Sequence, residues 1–221
     1  MTARLDVAQL QAQQRRLAQQ VVRHDDFPDP PRLVAAVDSA FPDAGRTTRA
    51  AAVLFRYPQM DLVESRIAEQ ATSLPYIPGL LSFRELPAVL AALRQLSRPP
   101  DIVLCDGQGI AHPRRFGIAC HLGVTTGLPT IGVGKSRLCG THRQPGAGKG
   151  KRTALYDGEE IIGVVLRSRE RVRPLFVSIG HRVGLDSAVA LTLACTTRYR
   201  LPEPIRAADR LAGQSVSRCS R

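Results

Sequence analysis

Two spacings of apolar residues run along this chain, and they predict alternating helices and strands. Over residues 5–23, Leu10, Leu17 and Val21 fall on one stripe with Gln and Arg opposite, the mark of an amphipathic helix. Pro28, Pro30 and Pro31 close it. Three strand-like runs follow at 33–41, 50–57 and 60–71. Pro42, Asp43 and Gly45 separate the first pair, and Pro58 and Gln59 the second. Links this short imply antiparallel neighbours. After Pro75, Pro78 and Gly79 the pattern becomes helical over 82–97, where Ser82 and Glu85 have the spacing of a capping box. The nearly all-apolar runs 101–106 and 129–134 predict strands buried on both faces, with a helix at 116–126 between them. Residues 140–152 are polar, basic and Gly-rich and predict a mobile loop. Strands at 160–167 and 172–178, a helix at 185–198 and a short last helix after Pro202 and Pro204 complete the pattern, with a frayed end at SVSRCSR. Three antiparallel strands, a helix, a strand, a helix and a strand make a mixed α/β sheet with helices on its faces.

Composition narrows this picture. A length of 221 residues suits a single domain. Hydrophobic residues make up 43%, but aromatics only 5% and Trp is absent, so Val, Leu, Ile and Ala must fill the core. Lys and Arg number 31 against 19 Asp and Glu, a net charge of +12 that favours a polyanionic partner. Nothing approaches the ~20 apolar residues that cross a bilayer, and the N-terminal stretch carries no apolar signal core. The five cysteines, Cys105, Cys120, Cys139, Cys195 and Cys219, lack zinc or redox spacing. They fit reduced thiols in a cytoplasmic protein, and nothing in the chain demands more than a monomer.

Three acids stand out. Asp38 lies inside an apolar strand, Asp106 ends another, and Glu85 sits in the first turn of the helix between them. A carboxylate among apolar residues is costly unless something pairs with it. Three on neighbouring elements suit a hard divalent cation, Mg²⁺ or Mn²⁺ rather than zinc. Each acid also has a structural alternative: Asp38 paired with an arginine, Glu85 capping its helix, Asp106 capping the DGQG turn.

Acids on the first strand, first helix and fourth strand resemble the ribonuclease H-like fold, in which such residues hold two metals for phosphodiester cleavage. More specific are VAAVDSAF at 34–41, PYIPGLLSFRE at 75–85, DGQGIAHPRRFGIACHLG at 106–123 and IGVGKSRLCG at 131–140. SIGHRVGLDSAV at 178–189 and YRLPEP at 199–204 join them. Together, over about residues 30–210, these stretches closely resemble endonuclease V, the deoxyinosine 3′-endonuclease of DNA repair. Phe41 departs from the Tyr common in that family.

The resemblance implies Asp38 and Asp106 as direct metal ligands, with Glu85 completing the acidic site. It implies Lys135 at the reacting phosphate and His181 beside the second metal or the attacking water. Pro75, Tyr76, Ile77 and Pro78 would form a wedge at the lesion. Gly79 and Leu80, with the loop around Gly107 and Gly109, would line a pocket for the displaced base. His112, Arg114 and Arg115 would either bind phosphate or hold their loop down. The implied reaction is a nick in DNA at the second phosphodiester bond 3′ to deoxyinosine, leaving 3′-hydroxyl and 5′-phosphate ends. Inosine in RNA is the alternative substrate. A non-catalytic nucleic-acid-binding protein of the same fold is the alternative function.

Overall fold

The computed structural model describes residues 6–214, which build one eight-stranded sheet with helices on both faces. The chain runs α1 (Val7–Ala18), β1 (Leu33–Ala40), β2 (Thr47–Arg56), β3 (Asp61–Ala71), α2 (Leu81–Leu93), β4 (Ile102–Cys105), α3 (Ile118–Thr126) and β5 (Thr130–Gly134). It continues through β6 (Arg152–Asp157), β7 (Glu160–Leu166), β8 (Leu175–His181), α4 (Leu185–Ala194) and α5 (Glu203–Gly213). The strand order is β3-β2-β1-β4-β5-β8-β7-β6. β1, β2 and β3 pair antiparallel, β1-β4 and β4-β5 pair parallel, and β8, β7 and β6 add an antiparallel flank. This is the ribonuclease H-like order of three antiparallel strands followed by parallel ones.

Strand alternation divides the core. Val34 and Ala36 on β1, with Ile102 and Leu104 on β4, pack toward α4 and α5. Ala35 and Val37, with Val103 and Cys105, pack toward α2 and α3. The central strands are buried on both sides, which is why they read as continuous apolar runs. Because the side-chain period is two, Asp38 and Asp106 continue the row that faces α5.

Some expected boundaries move. α1 is shorter than 5–23, α2 shorter than 82–97 and α4 shorter than 185–198. β2 starts at Thr47 rather than residue 50. β8 spans Leu175–His181 instead of 172–178, since Pro174 has no N–H to give to a ladder. β6 was not expected at all: it is an edge strand with only Leu155 fully buried, so its sequence is mostly polar. The basic loop before it is tied down. Arg167 donates to the carbonyls of Pro145 (3.0 Å) and Gly146 (3.1 Å), and Gly150 N–H donates to Arg167 O (2.8 Å). The expected frayed end lies outside the described residues. Among those described, Cys105, Cys120, Cys139 and Cys195 are free thiols, and no helix is long and apolar enough to cross a membrane.

Candidate active site

The carboxyl ends of the three adjacent parallel strands carry three of the expected side chains. Asp38 lies near the end of β1, Asp106 follows β4 and Lys135 follows β5. Val37 is paired with Cys105, and Asp106 N–H donates to Val37 O at 3.1 Å, so the two aspartates stand side by side. Ligands of open α/β sheets gather at such strand ends.

α5 supplies a residue that the sequence did not single out. Pro204, Ile205, Ala208 and Ala212 bury one face of this helix, and the helix packs on β1 and β2. Asp209, one position beyond Ala208, is thereby brought to the strand ends. One carboxylate oxygen each from Asp38, Asp106 and Asp209 lies within 4.8 Å of the others. The Lys135 ammonium sits among them, 2.5 Å from Asp209 Oδ1 and 2.6 Å from Asp106 Oδ2. That second contact is an ion pair by distance, yet Asp106 Oδ2 is buried without a well-aligned hydrogen bond among the described residues. A buried carboxylate whose one charged partner, Lys135, is shared with Asp209, within reach of two other carboxylates, fits a hard cation bound through oxygen.

Glu85 stands close behind, outside that group of three. The expected capping box does not form. Leu80 caps α2 without a side-chain hydrogen bond, and Ser82 Oγ lies 3.1 Å from His121 Nδ1 instead. Glu85 is turned inward, into a small cavity that also touches Asp38 and Asp106. Burial and the charges of Asp38 and Asp106 raise its pKa to about 8. Burial first, then Asp106, raises Asp38 to about 7, although the Ser39 N–H (2.8 Å) opposes the shift. Asp106 is also raised by burial, with Lys135 pulling the other way. For Lys135, burial is unfavourable to the charge, but Asp106 and Asp209 overcome it and hold the ammonium above its ordinary range. The site therefore concentrates more negative charge than Lys135 can neutralise.

His181 is not brought to this cluster. It pairs with Thr130 at the start of β5, whereas Gly134, next to Lys135, pairs with Phe176. Four residues of strand separate the two ends, roughly 13 Å. The Val22 N–H donates to His181 Nδ1 at 3.2 Å, and burial lowers the His181 pKa. His181 thus lies at the other end of β5 from the acids, and the carboxylate that joins Asp38 and Asp106 is Asp209. The signal for Asp209 was its position one residue past the apolar stripe of the last helix, which has meaning only once the helix is docked.

Beside the acids opens a cavity of about 240 Å³, below the ~300–1,000 Å³ range of drug-sized ligands. Tyr76, Pro78 and Gly79 form one wall, Gly107, Gln108 and His112 another, and Glu85 and Asp106 reach its rim. Tyr76 stands out at 66% exposure. Ile77, Pro78, Gly79 and Leu80 make a tight turn closed by Leu80 N–H to Ile77 O at 3.0 Å. Pro78 followed by Gly79 at φ +76° is the pattern of a type II turn. Gly107, at φ +153°, has no room for a side chain, since a Cβ would meet Ile118 Cγ2 at 2.6 Å. Leu80 and Gly109 are withdrawn from the cavity: Leu80 is buried, and a Cβ on Gly109 would strike Ile179 O. His112 lines the pocket but is not free to hold phosphate, because Nε2 is bonded to Gly79 O (3.1 Å) and Nδ1 to Arg114 N–H (3.1 Å). Arg115 is spent on Asp157 (2.8 Å) and Glu160 (2.7 Å). Phe41 packs its ring under the Arg84 guanidinium, 4.0 Å away, a contact that needs no tyrosine hydroxyl.

The family model of Endonuclease V matches residues 15–210. The chain belongs to the endonuclease V family. Endonuclease V of Alkalilimnicola ehrlichii is 61% identical over 182 residues, 82% of this chain and 80% of the relative. The crystal structure of endonuclease V from Streptomyces avermitilis superposes with a TM-score of 0.90 at 46% identity, covering 96% of this chain and 93% of that one. Endonuclease V of Ciona intestinalis has a TM-score of 0.81 at 26% identity, covering 93% and 95%. It was crystallised with a 24mer DNA containing an inosine followed by a ribo-adenosine. Membership of endonuclease V makes the chain a nuclease of nucleic-acid repair, and the acidic cluster is where its divalent cation would be held.

Proposed function

We propose that the chain nicks DNA at the second phosphodiester bond 3′ to deoxyinosine, using Mg²⁺, with Mn²⁺ as a substitute. The observation that carries this reading is the juxtaposition of the Asp38, Asp106 and Asp209 carboxylates with a base-sized pocket behind an exposed aromatic tip.

Asp38, Asp106 and Asp209 would hold the cation, and Glu85 adds negative charge behind them. Bound divalent ions, one or a pair, supply Lewis-acid stabilisation and a more acidic water. Lys135, held between Asp106 and Asp209, contributes fixed positive charge toward the phosphate being cut. In the hydrolysis a water oxygen bonds to phosphorus as the bond to the 3′ oxygen breaks. The products are a 5′-phosphate and a 3′-hydroxyl.

The wedge deals with the lesion. Its prolines fix the backbone, so Tyr76 is presented on a stiff tip that can fill the gap left by an extruded base. Extrusion costs a few kcal/mol, and less for a weakly paired base such as hypoxanthine. The pocket walls at Gly79 and Gly107 then meet the base edge with backbone groups. The net charge of +12 favours the phosphate backbone. We further place the protein in the cytoplasm, as a monomer with one domain. The free thiols and the continuous sheet support this.

The test is a labelled duplex with one deoxyinosine, incubated with Mg²⁺ or with EDTA. Cutting two bonds 3′ to the base in Mg²⁺ alone is expected. Metal-independent cutting, or none beside inosine, would sink the assignment. An RNA of the same sequence cut equally or better would reassign the substrate to RNA, and binding without cutting would leave a non-catalytic reader. Tyr76→Ala should weaken binding to the inosine duplex by about tenfold, since base–aromatic stacking is worth ~1–3 kcal/mol. Equal affinity of the variant, measured by titration, would remove Tyr76 from the wedge.

A further inference from the structure

α1 buries an unusual residue. Among its described residues Gln14, at 0% exposure, is the buried one, while Leu10 and Leu17 on the apolar stripe are only half-buried. A buried amide is costly unless its groups are paired, and here they are. Gln14 Nε2 donates to Gly79 O (3.0 Å) and to Phe116 O (3.3 Å), and Gln14 Oε1 accepts from Arg114 Nε. The same Gly79 carbonyl accepts from a terminal nitrogen of Arg114 at 2.6 Å. His112 completes the set. Its Nδ1 accepts the Arg114 N–H, which puts the ring proton on Nε2, 3.1 Å from Gly79 O. Burial, aided by the Arg114 charge, lowers the His112 pKa to about 4, so the ring stays a neutral donor.

Three donors from two separate segments thus converge on one carbonyl. That carbonyl belongs to the peptide plane that also contains Leu80 N–H, which closes the wedge turn on Ile77 O. Since the peptide is planar, fixing its oxygen fixes the turn from behind while its N–H fixes it from in front. A fully satisfied network in a buried place permits one arrangement rather than several.

We propose that Gln14 and Arg114 are positioning residues for the wedge: with His112 they clamp the Gly79 carbonyl. The clamp sets the Tyr76 tip and the pocket wall before nucleic acid arrives. The inference rests on the reading of Pro75–Pro78 as a lesion wedge. It assigns α1, outside the catalytic cluster, a role in lesion recognition. Pre-ordering lowers the conformational cost of binding, so its loss falls on affinity for the lesion and not on the chemical step.

The chain contains no tryptophan, so Tyr76→Trp places a single emitter at the wedge tip. In that background, Gln14→Met keeps the side-chain bulk and removes every hydrogen bond. It is expected to lower the tryptophan anisotropy of the nucleic-acid-free protein. In the otherwise unaltered chain, Gln14→Met is expected to raise KM for the inosine duplex about tenfold, with kcat changed less than about threefold. Arg114→Met, which leaves every side chain of α1 in place, is the second variant and should act in the same direction should Gln14→Met fail to fold. Unchanged anisotropy in the folded variants overturns the clamp, as does a fall in kcat with KM unmoved. A parent protein with no preference for inosine would instead remove the functional reading. The anisotropy difference would still decide whether the clamp holds the tip.

Discussion

Replacing Asp106 with Ala is expected to lower cleavage of an inosine duplex by ~10³-fold or more, about 4 kcal/mol of transition-state stabilisation. Asp106 stands in the middle of the cluster. It shares the proposed cation position with Asp38 and Asp209, pairs with Lys135 and reaches the cavity beside them. Its loss removes a ligand and frees Lys135 from one of its two partners. The wedge and the pocket walls at Gly79 and Gly107 are untouched, so binding to inosine DNA should remain measurable. Rate loss with retained binding is the signature of a residue acting on the chemistry. Asp209→Ala should follow the same pattern, with a loss of at least ~10²-fold. His181→Ala should not. That change strips the half-buried Val22 N–H of its partner, and its expected cost falls on stability, at or below the ~1–3 kcal/mol of a fully buried unpaired donor. Single-turnover assays of the three variants beside melting curves separate these outcomes. Full activity in Asp209→Ala with loss in His181→Ala would reverse the assignment made from the geometry.

The second large effect concerns pH and the metal-free protein. Asp38 is raised from an ordinary 3.8 to about 7 and Glu85 from 4.5 to about 8. Between the ordinary and raised values the folded state keeps protons that the unfolded chain releases. Below about pH 6.5 the resulting loss of stability is offset by His112 and His121, which burial keeps neutral in the fold with values of about 4. Stability of the metal-free protein is therefore expected to fall chiefly between about pH 6.5 and 8, then level off. A divalent cation works in the opposite sense: it needs the ionised carboxylates, so its stabilising effect grows with pH. Glu85→Gln removes one buried charge. It should raise the melting temperature of the metal-free protein above pH 8, by about 2–4 °C per kcal/mol relieved for a chain of this size. The same change should blunt the stabilisation by Mg²⁺ or Mn²⁺ and lower cleavage. At subsaturating cation, cleavage by the unaltered protein should climb between pH 6 and 8, because cation binding needs the ionised acids. Calorimetry from pH 5 to 8.5, with and without the cation, is the measurement. A melting temperature of the metal-free protein that does not fall between about pH 6.5 and 8 would show that these acids carry no such strain.

The destabilising charge and the proposed activity have one cause. Asp38, Asp106 and Asp209 at the strand ends and Glu85 on α2 gather where the proposed cation would bind, and one lysine does not balance them. This also explains how an apolar strand tolerates Asp38. Among the described residues Asp38 makes no ion pair with an arginine, Asp106 pairs with Lys135, and the expected capping box of Glu85 is absent.

The sequence by itself determined the central sheet, the neighbouring places of Asp38 and Asp106, and the proline-bracketed turn that exposes Tyr76. Each is local information. Strands buried on both faces announce themselves as apolar runs, an acid at the end of such a run is conspicuous, and two prolines around Tyr76-Ile77 mark a stiff tip within four residues. The mostly polar edge strand β6 carried no such mark. The sequence also placed Lys135 correctly, directly after an apolar strand. What it did not single out was Asp209, the third carboxylate of the cluster. His181 lies in a conspicuous motif but at the wrong end of β5, because β8 runs antiparallel and carries it away from the acids. Asp209 lies in an ordinary amphipathic helix about 100 residues after Asp106. Only the docking of Ile205, Ala208 and Ala212 onto β1 and β2 turns it toward them. Gln14 is the same kind of case, a glutamine in a Gln-rich helix until the fold seals it against Gly79. Periodicity shows which face of an element is buried. What that face meets is decided by contacts between segments far apart in the chain, and no local pattern encodes them.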